Sequence, residues 1–465
     1  MPPSSTPFSQ RRKLLTVRED AMQVAHEIKA LLAPERAAEL RSLLDGQHPA
    51  DLADAMFFLS DEEERQVFAL LNTEEAAEVL DEVDDATEAN LVSSTSADKL
   101  ADILEELPSD EGADVAGRFS AETRDHVLSL TDAETAQEIR ELLAFPPDTA
   151  GGIMSLGFVD VPESATQVEA LARFRDKADA DHIFFVYVVD AQDGLKGKID
   201  LRSLLRAAPS AQVRDLMEES LWVHPECDQE QVANIFSRYD LTALPVVQGD
   251  NKRLLGVITA DDIIDVIQEE SAEDLAHLSG SDAQELESKS PVQVAKLRMP
   301  WIMATLFIEL LAGFVIKAFD GTLTKFILLA SFMPIISAIS GNTGLQSAAI
   351  IIRGLSTGQV QLSHWKHAVL RQMATTVILG GACASVLGII GAIWDGHWAF
   401  GLCVFLGMFM SVNIAGVVGT VVPLISKRMG FDPALTAGPF ETAFQDVVGI
   451  SIFLSLASVL LQWLR

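Results

Sequence analysis

Several kinds of residue and segment are scarce in this 465-residue chain, and each scarcity excludes a class of protein. Its three cysteines (Cys227, Cys383 and Cys403) are scattered, so neither a disulfide framework nor a cysteine metal site is predicted. Basic residues number 34 against 67 acidic ones, and the net charge of −33 excludes nucleic acid as an expected partner. The first residues, MPPSSTPFSQRRKLL, lack the apolar core of a secretory signal, so residues 1–300 are expected in the cytoplasm. No catalytic constellation appears either, and no enzyme is predicted.

The charge is distributed very unevenly along the chain. Six acids and eight bases follow Pro300, so residues 1–300 carry a net charge of about −35. The first part is therefore an acidic soluble region, and the second part is apolar and nearly neutral. An acidic surface of this size favours cations as ligands, although simple solvation of the acids is the commoner situation in acidic proteins.

Five apolar segments follow Pro300, and each can cross a hydrocarbon core that needs about 20 helical residues. They are residues 300–318, 326–352, 368–394, 398–425 and 433–463. The second segment contains Pro334, Gly341 and Gly344, and such interruptions at membrane depth are typical of a packed or water-lined site. The sequence therefore predicts a transmembrane region of five helices.

Basic residues mark one side of this region. They precede the first segment and flank the links between segments two and three and between segments four and five: Lys296, Arg298, Arg353, Lys366, Arg371, Lys427 and Arg428. The positive-inside rule assigns that side to the cytoplasm. Residues 1–299 are then inside and the C-terminus outside, in agreement with the missing secretory signal.

Asp446 lies in the fifth apolar segment, where a carboxylate costs about 2.5–3.5 kcal/mol on insertion scales. A helix beginning at Asp432 would place Asp446 14 residues along it, at about 21 Å. Gly438, Thr442 and Gly449 would share its face. Since no Lys or Arg lies at midspan elsewhere, an ion path is favoured over a buried interhelical hydrogen bond.

Three other polar residues of the membrane region have two interpretations each. Glu441 either faces a cytoplasmic vestibule or packs against a polar residue, and Glu309 in the first segment has the same ambiguity. Asn342 and the neighbouring glycines of the second segment either line a pore or allow close helix packing. The two interpretations of the second segment are compatible with each other.

Residues 21–145 are charged and helical in pattern. The segments HPADLADAMFFLSDEE and SADKLADILEELPSDEG align at an offset of 48 residues, which pairs Leu52 with Leu100 and Leu59 with Leu107. This self-similarity predicts a helical-hairpin repeat. The helices are expected to stack side by side with their acidic faces outward.

Residues 146–270 contain a β-β-α pattern twice, with strand-like runs at HIFFVYVVD and LTALPVV. The second copy, DLTALPVV followed by LLGVITADDII, resembles a CBS domain, and the whole resembles a tandem CBS pair. Gly256, Thr259 and Asp262 fit the G-x-x-T-x-x-D pattern of nucleotide-binding copies, which implies a candidate ATP site. Residues 271–299 are predicted to form a polar helix that links this pair to the first span.

The order of these segments, with the motifs GNTGLQSAAIIIRGL and FDPALTAGPF before DVVG, resembles the MgtE family of magnesium channels and transporters over nearly the whole chain. The resemblance implies a homodimer whose pore is lined by the second and fifth spans. It implies that Asp446 is the central pore aspartate and that Asp432 lies at the cytoplasmic mouth. Thr442 is assigned to the pore lining together with Asn342, and Gly438 to a position where some members have Asn.

The resemblance also implies regulatory Mg²⁺ sites between the helical domain and the CBS pair. The acids at matching positions are Glu78, Asp110, Asp114, Asp228, Glu230, Asp240, Asp262, Asp265, Glu270, Glu273 and Asp274. At high Mg²⁺ these acids are expected to be bridged and the domains closed, and at low Mg²⁺ to separate and release the linking helix. Solvation is the alternative for any single one of them.

The sequence thus predicts a multidomain chain with a flexible N-terminus, an all-α acidic helical-repeat N domain, an α/β tandem CBS pair, a linking helix and an all-α five-span transmembrane domain (1–20, 21–145, 146–270, 271–299 and 300–465). The predicted function is a Mg²⁺-gated channel that imports Mg²⁺ across the cytoplasmic membrane as a homodimer, with Mg²⁺ as substrate and regulator. One alternative is a channel of this architecture for Co²⁺ or Mn²⁺. The other is a CBS-based membrane protein that senses nucleotide without conducting.

Overall fold

The computed structural model describes residues 17–176, 184–281, 285 and 291–464. These residues form two compact units, one ending at Ile264 and the other beginning at Asp265. Residues 1–16 of the predicted flexible segment 1–20 lie outside the described residues. Its remaining residues belong to a helix that begins at Val17.

Short amphipathic helices make up the first part of the first unit. Their bounds are α1 (Val17–Leu31), α2 (Ala37–Leu44), α3 (Pro49–Met56), α4 (Asp61–Phe68), α5 (Thr73–Glu82), α6 (Asp85–Ser94), α7 (Ala97–Glu106), α8 (Ser109–Arg118), α9 (Ala121–Leu130) and α10 (Ala133–Leu142). From α3 to α10 each helix begins twelve residues after the one before. Alternate helices pack together, α3 on α5 on α7 on α9 in one row and α4 on α6 and α8 on α10 in the other. The helical repeat is confirmed, and its true period is 24 residues, half of the offset seen in the sequence.

The local sequence explains why these helices are short and regular. Asn72, Ser96 and Asp132 each precede a helix and accept a hydrogen bond from a backbone N–H of its first turn. Within α7, Leu100 and Leu104 share one face and are at most 2% exposed. A capping residue followed by one apolar helix face in every twelve residues therefore produces a stack of short helices.

The second part of the first unit has the α/β pattern twice. Its elements are β1 (Val159–Pro162), α11 (Gln167–Asp176), β2 (Phe185–Val189), β3 (Leu195–Asp200), α12 (Leu201–Arg206), α13 (Val213–Leu216), α14 (Gln229–Tyr239), β4 (Ala243–Gln248), β5 (Arg253–Thr259) and α15 (Ala260–Ser279). Strand β2 pairs parallel with β1 and antiparallel with β3. Strand β4 pairs antiparallel with β5 and makes a parallel bridge from Val246 to Val223, which reproduces the first arrangement. The predicted pair of CBS-like copies is confirmed.

The second unit is helical. After the end of α15 it contains α16 (Pro291–Ala318), α17 (Asp320–Lys325), α18 (Leu329–Ser356), α19 (Trp365–Asp395), α20 (Trp398–Met429) and α21 (Pro439–Leu464). Within the described residues, five of its helices are long and apolar enough to cross a membrane, as predicted. Helix α18 is continuous through Pro334, Gly341 and Gly344, so these residues do not interrupt the second span.

Two predicted helix boundaries differ from the structure. Residues 271–299 do not form one linking helix, because α15 ends at Ser279, where Gly280 has a φ of +69°, and α16 begins at Pro291. The residues 282–284 and 286–290 of that predicted helix lie outside the described residues. The fifth span begins at Pro439 rather than at Asp432. Asp432 instead accepts a hydrogen bond from the N–H of Ala434, the first residue of a short 3-10 turn (Ala434–Thr436) that precedes the helix.

Candidate functional site

Asp446 lies near the start of helix α21, seven residues after Pro439 and thus about 10 Å along the helix instead of the expected 21 Å. The hydroxyl of Ser337, on α18, donates a hydrogen bond to Asp446 Oδ1 at 2.6 Å. The carboxyl group of Glu309, on α16, also contacts the Asp446 carboxyl group. These partners are neutral or acidic, so the contacts of Asp446 described here supply no positive charge.

The polar face predicted around Asp446 packs largely on α18. Thr442 lies beside Gly341, where an added Cβ would be 3.3 Å from its methyl group, and Gly449 lies near Ser340 in the same way. Thr442 and Asn342 are exposed in the single chain, whereas Asp446 is half-buried. The structure therefore brings Asp446, Thr442 and the second span together, as the sequence predicted.

Glu441 packs against a polar residue and does not face a vestibule. Its side chain is 1% exposed, and Gln445 Nε2 donates a hydrogen bond to its Oε1 at 2.9 Å. A Cβ at Gly344 would lie only 2.8 Å from that oxygen. Glu441 is thus enclosed between α21 and α18 by helix packing, on a different face from Asp446.

Small residues hold α18 directly against α20. A Cβ at Gly419 would lie 2.2 Å from the carbonyl oxygen of Gly344, so the two backbones touch at this point. Of the two interpretations of the second span, close packing accounts for Gly344, while Asn342 is left exposed on the same helix.

The last turn of α15 contacts the segment that immediately precedes the fifth span. His277 Nδ1 lies 3.2 Å from Asp432 Oδ2, and His277 Nε2 lies 3.8 Å from Glu273 Oε1. Gly438 is buried against this turn, since an added Cβ would lie 2.6 Å from the His277 carbonyl oxygen and 2.9 Å from that of Leu278. In the described chain Gly438 is therefore a point of close backbone approach, which sequence reasoning about the pore did not foresee.

In the first unit, a cavity of about 360 Å³ opens between the helical array and the α/β part. Acidic side chains from both parts line it: Glu105, Glu106, Asp110, Glu111, Glu138, Asp261 and Asp262. Its other walls include aromatic rings, among them Tyr187, whose buried hydroxyl has no hydrogen-bond partner among the described residues. Asp110 Oδ1 is also buried, and no described residue forms a hydrogen bond with it. Orphaned oxygens among carboxylates fit a hard divalent cation.

The electrostatics of this cavity oppose further negative charge. Burial raises the pKa of Asp110 to about 6 and, together with the Asp110 charge, that of Asp262 to about 6. Burial and then the charge of Asp81 raise the pKa of Glu111 to about 8. Within the described residues no three His, Cys, Asp or Glu side chains converge closely enough to enclose an ion directly. The arrangement suits an ion that keeps its water shell.

Of the eleven acids predicted as regulatory, the structure brings Asp110 and Asp262 into this cavity. The others take different places: Glu78 and Asp114 are exposed on α5 and α8, Asp228 caps α14, Glu230 lies in its first turn, and Asp240 ends it in a left-handed conformation. Asp265, Glu270, Glu273 and Asp274 lie along α15 in the second unit. Their roles remain predictions.

The three residues predicted to bind nucleotide have local structural contacts. The Thr259 hydroxyl and N–H both donate to Asp262 Oδ2, at 2.7 and 2.9 Å, at the start of α15. A Cβ at Gly256 would lie 2.7 Å from the Ser155 carbonyl oxygen, so the glycine allows close pairing with the segment before β1. A nucleotide role for this trio also remains a prediction.

Sequence reasoning missed several residues of these sites. Glu111 lies beside Asp110, and the two other acids of the run SDEGAD were a usable signal. Glu138 and Tyr187 reach the cavity from distant parts of the chain, and no local pattern marks them. His277 was missed because a lone histidine carries no spacing signal.

Family models match three parts of the chain. The model described as divalent cation transporter matches residues 333–456, the MgtE intracellular N domain matches residues 47–148, and the CBS domain matches residues 213–269. They cover α18 to α21, most of the helical array and the second α/β copy.

Curated relatives agree with these matches. The magnesium transporter MgtE of Thermus thermophilus is 34% identical over 91% of this chain and 95% of its own length, and that of Bacillus subtilis is 28% identical over 93% and 96%. Among structures, the cytosolic domain of the Mg²⁺ channel MgtE in complex with ATP is 34% identical, covers 52% of this chain and 99% of its own, and has a TM-score of 0.49. The soluble part of a magnesium transporter is 30% identical over 55% and 99%, with a TM-score of 0.47. With a third of its residues shared over almost the full length of a curated relative, and with family models on three of its parts, this chain belongs to the MgtE family of magnesium transporters.

Proposed function

We propose that this protein is a Mg²⁺-gated channel that imports Mg²⁺ through a path beside Asp446. The observation that carries the proposal is a half-buried carboxylate on a membrane-spanning helix whose described contacts are with Ser337 and Glu309. An acid at that place is costly unless it pairs with a cation or lines a water-filled path. The family membership makes Mg²⁺ the first candidate for that cation.

The ligand set suits a hydrated ion. Mg²⁺ dehydrates reluctantly and keeps several of its waters when carboxylates hold it. A single Asp446 offers two oxygens, and the exposed Thr442 and Asn342 offer groups that accept hydrogen bonds from water. We infer that a second copy of the chain supplies the other side of the path, so that two Asp446 carboxylates face one ion.

The proposed orientation places the acidic unit in the cytoplasm. The basic residues around α16, α18, α19 and the α20–α21 link fall on one side of the span pattern, and the positive-inside rule assigns that side to the cytoplasm. The acidic unit can then respond to cytoplasmic Mg²⁺.

We propose that the cavity around Asp110, Glu111 and Asp262 regulates the path. Without cations its carboxylates repel one another and disfavour contact between the helical array and the α/β part. A divalent cation relieves that repulsion in the closed arrangement only, which is the differential affinity that allosteric coupling requires. Asp262 lies in the first turn of α15, and His277 in the last turn of the same helix contacts Asp432. The acids around Asp262 also disfavour a nucleotide phosphate in this cavity.

A flux assay in liposomes tests the proposal. Purified protein is reconstituted with a Mg²⁺-sensitive dye inside, and external Mg²⁺ is varied in competition with Co²⁺, Mn²⁺ and adenine nucleotide. Wild type should carry Mg²⁺, and Asp446→Asn should abolish the flux while keeping the shape of the side chain. Asp395→Asn, another acid of the second unit at the end of α19, is the matched control and should conduct normally.

Each other outcome has a definite meaning. Absence of flux in wild type, or normal flux in Asp446→Asn, would contradict the channel. Flux that prefers Co²⁺ or Mn²⁺ would favour the alternative cargo. For the regulatory part, Asp110→Asn should weaken inhibition by Mg²⁺ on the cytoplasmic side, and unchanged inhibition would contradict that role.

A further inference from the structure

Glu309 occupies the middle of the first membrane-spanning stretch. It lies nine residues from both Pro300 and Ala318, and hence about 14 Å along α16 from each. A carboxylate at such a depth is among the most costly of side chains unless a partner compensates it. The contacts of Glu309 must therefore offset the cost of its carboxyl group at this depth.

The contact of Glu309 is with the Asp446 carboxyl. The two carboxyl groups interact at close range, and helices α16 and α21 pack against each other. The other oxygen-bearing partner of Asp446 is the Ser337 hydroxyl on α18. Three helices thus bring two acids and one hydroxyl to one point.

Two carboxylates in contact repel each other unless a proton or a cation lies between them. Ser337 offers a donor to one of the four carboxylate oxygens and cannot neutralise either charge. A hydrated dication can satisfy both groups at once, because its waters donate hydrogen bonds and its charge balances two acids. The arrangement is stable in the presence of the ion that the proposed function carries past it.

We infer that Glu309 is a second acidic residue of the ion path and sets its preference for divalent over monovalent cations. This inference rests on the proposed function, since it concerns the same path. The Coulomb energy of an ion beside a carboxylate is proportional to the charge of the ion, so each acid favours a dication twice as strongly as a monovalent ion. A second acid in contact with Asp446 therefore adds selectivity as well as affinity.

Glu309→Gln removes the charge, keeps the size and replaces the carboxyl group with an amide that can still form hydrogen bonds. In the same liposome assay, the Mg²⁺ concentration for half-maximal flux should rise about tenfold, the Coulomb effect of one charge on a dication about 6 Å away in water. The preference for Mg²⁺ over K⁺ should fall as well. The matched control is Asp320→Asn, an exposed acid in the first turn of α17 that should leave both values unchanged.

Glu309→Asp separates charge from positioning. It keeps the charge, so its half-saturating Mg²⁺ concentration should stay near the wild-type value. Equal losses in the Gln and Asp variants would show that Glu309 only positions Asp446, and wild-type behaviour of Glu309→Gln would overturn the inference outright. Elution of each variant as wild type on size exclusion establishes folding. Wild type without flux would instead sink the proposed function, so the two failures are distinguishable.

Discussion

The Glu111 carboxyl offers a direct test of the cytoplasmic cavity, because its surroundings oppose ionisation. Burial and the charge of Asp81 raise its pKa from 4.5 to about 8 in the folded protein. The unfolded chain has the ordinary value, so the folded state binds more protons between about pH 4.5 and 8. The contribution of Glu111 to stability around α8 is therefore fully present below about pH 4.5 and is lost as the pH rises to about 8.

Glu111→Gln removes this dependence. The whole difference between the two pKa values corresponds to about 5 kcal/mol at most, and solvent screening of this partly exposed carboxyl reduces the expected effect to about 2–3 kcal/mol. Above about pH 8 the variant should be more stable than wild type by that amount, and near pH 4.5 the two should be equal.

Hydrogen exchange of the α8 amides in the full-length protein measures this difference. At about pH 8.5 with a chelator, exchange in Glu111→Gln should be slower by about 30- to 160-fold, which is the same free energy expressed as a ratio. Added Mg²⁺ should reduce the difference in exchange rate between wild type and Glu111→Gln, because cations compensate the charge of the wild-type carboxylate. Glu122→Gln, an exposed acid in the first turn of α9, should match wild type throughout. Equal exchange in wild type and Glu111→Gln at high pH would refute the reasoning.

Three further changes test the packing. Gly438→Ala should displace the end of α15, because the added Cβ would clash with the His277 carbonyl oxygen. Faster proteolysis after α15 in detergent would reveal the displacement, and a cleavage rate equal to that of wild type would contradict the contact. Gly419→Ala should push α20 away from Gly344 and lower the free energy of unfolding by about 2 kcal/mol or more. An unchanged melting temperature would show that the two helices can separate at no cost. Tyr187→Phe deletes an unpartnered buried hydroxyl and should be neutral or stabilising by about 1 kcal/mol in denaturant, whereas a clear loss would indicate a missed partner.

The contact between α15 and the fifth span bears on gating. Asp432 and Gly438 were predicted as ion-path residues, and in this chain both touch the last turn of α15. A larger side chain at 438 excludes that close approach, so the glycine and the position of α15 depend on each other. This gives the regulatory proposal a specific point at which movement of one helix reaches the path.

Local patterns in the sequence were sufficient for the secondary structure of both units. Length and hydropathy identified the five spans, and β-branched runs identified the strands, because these signals arise within a few neighbouring residues. The same signals did not locate the ends of two helices correctly. The fifth span begins later than Asp432 because a separate 3-10 turn, Ala434–Thr436, lies between them. The linking helix was misplaced because α15 continues directly from the last α/β copy.

The sites depended on contacts that no local pattern contains. Helical periodicity put Thr442 and Asp446 on one face, but it did not reveal that Glu309, 137 residues earlier, meets that face. The role of Glu441 in packing and the gathering of Glu111 with Asp262 likewise emerged from the folded chain alone. Periodicity orients a side chain about its own helix axis, whereas its neighbours are set by how whole helices pack, and that packing is a property of the entire chain.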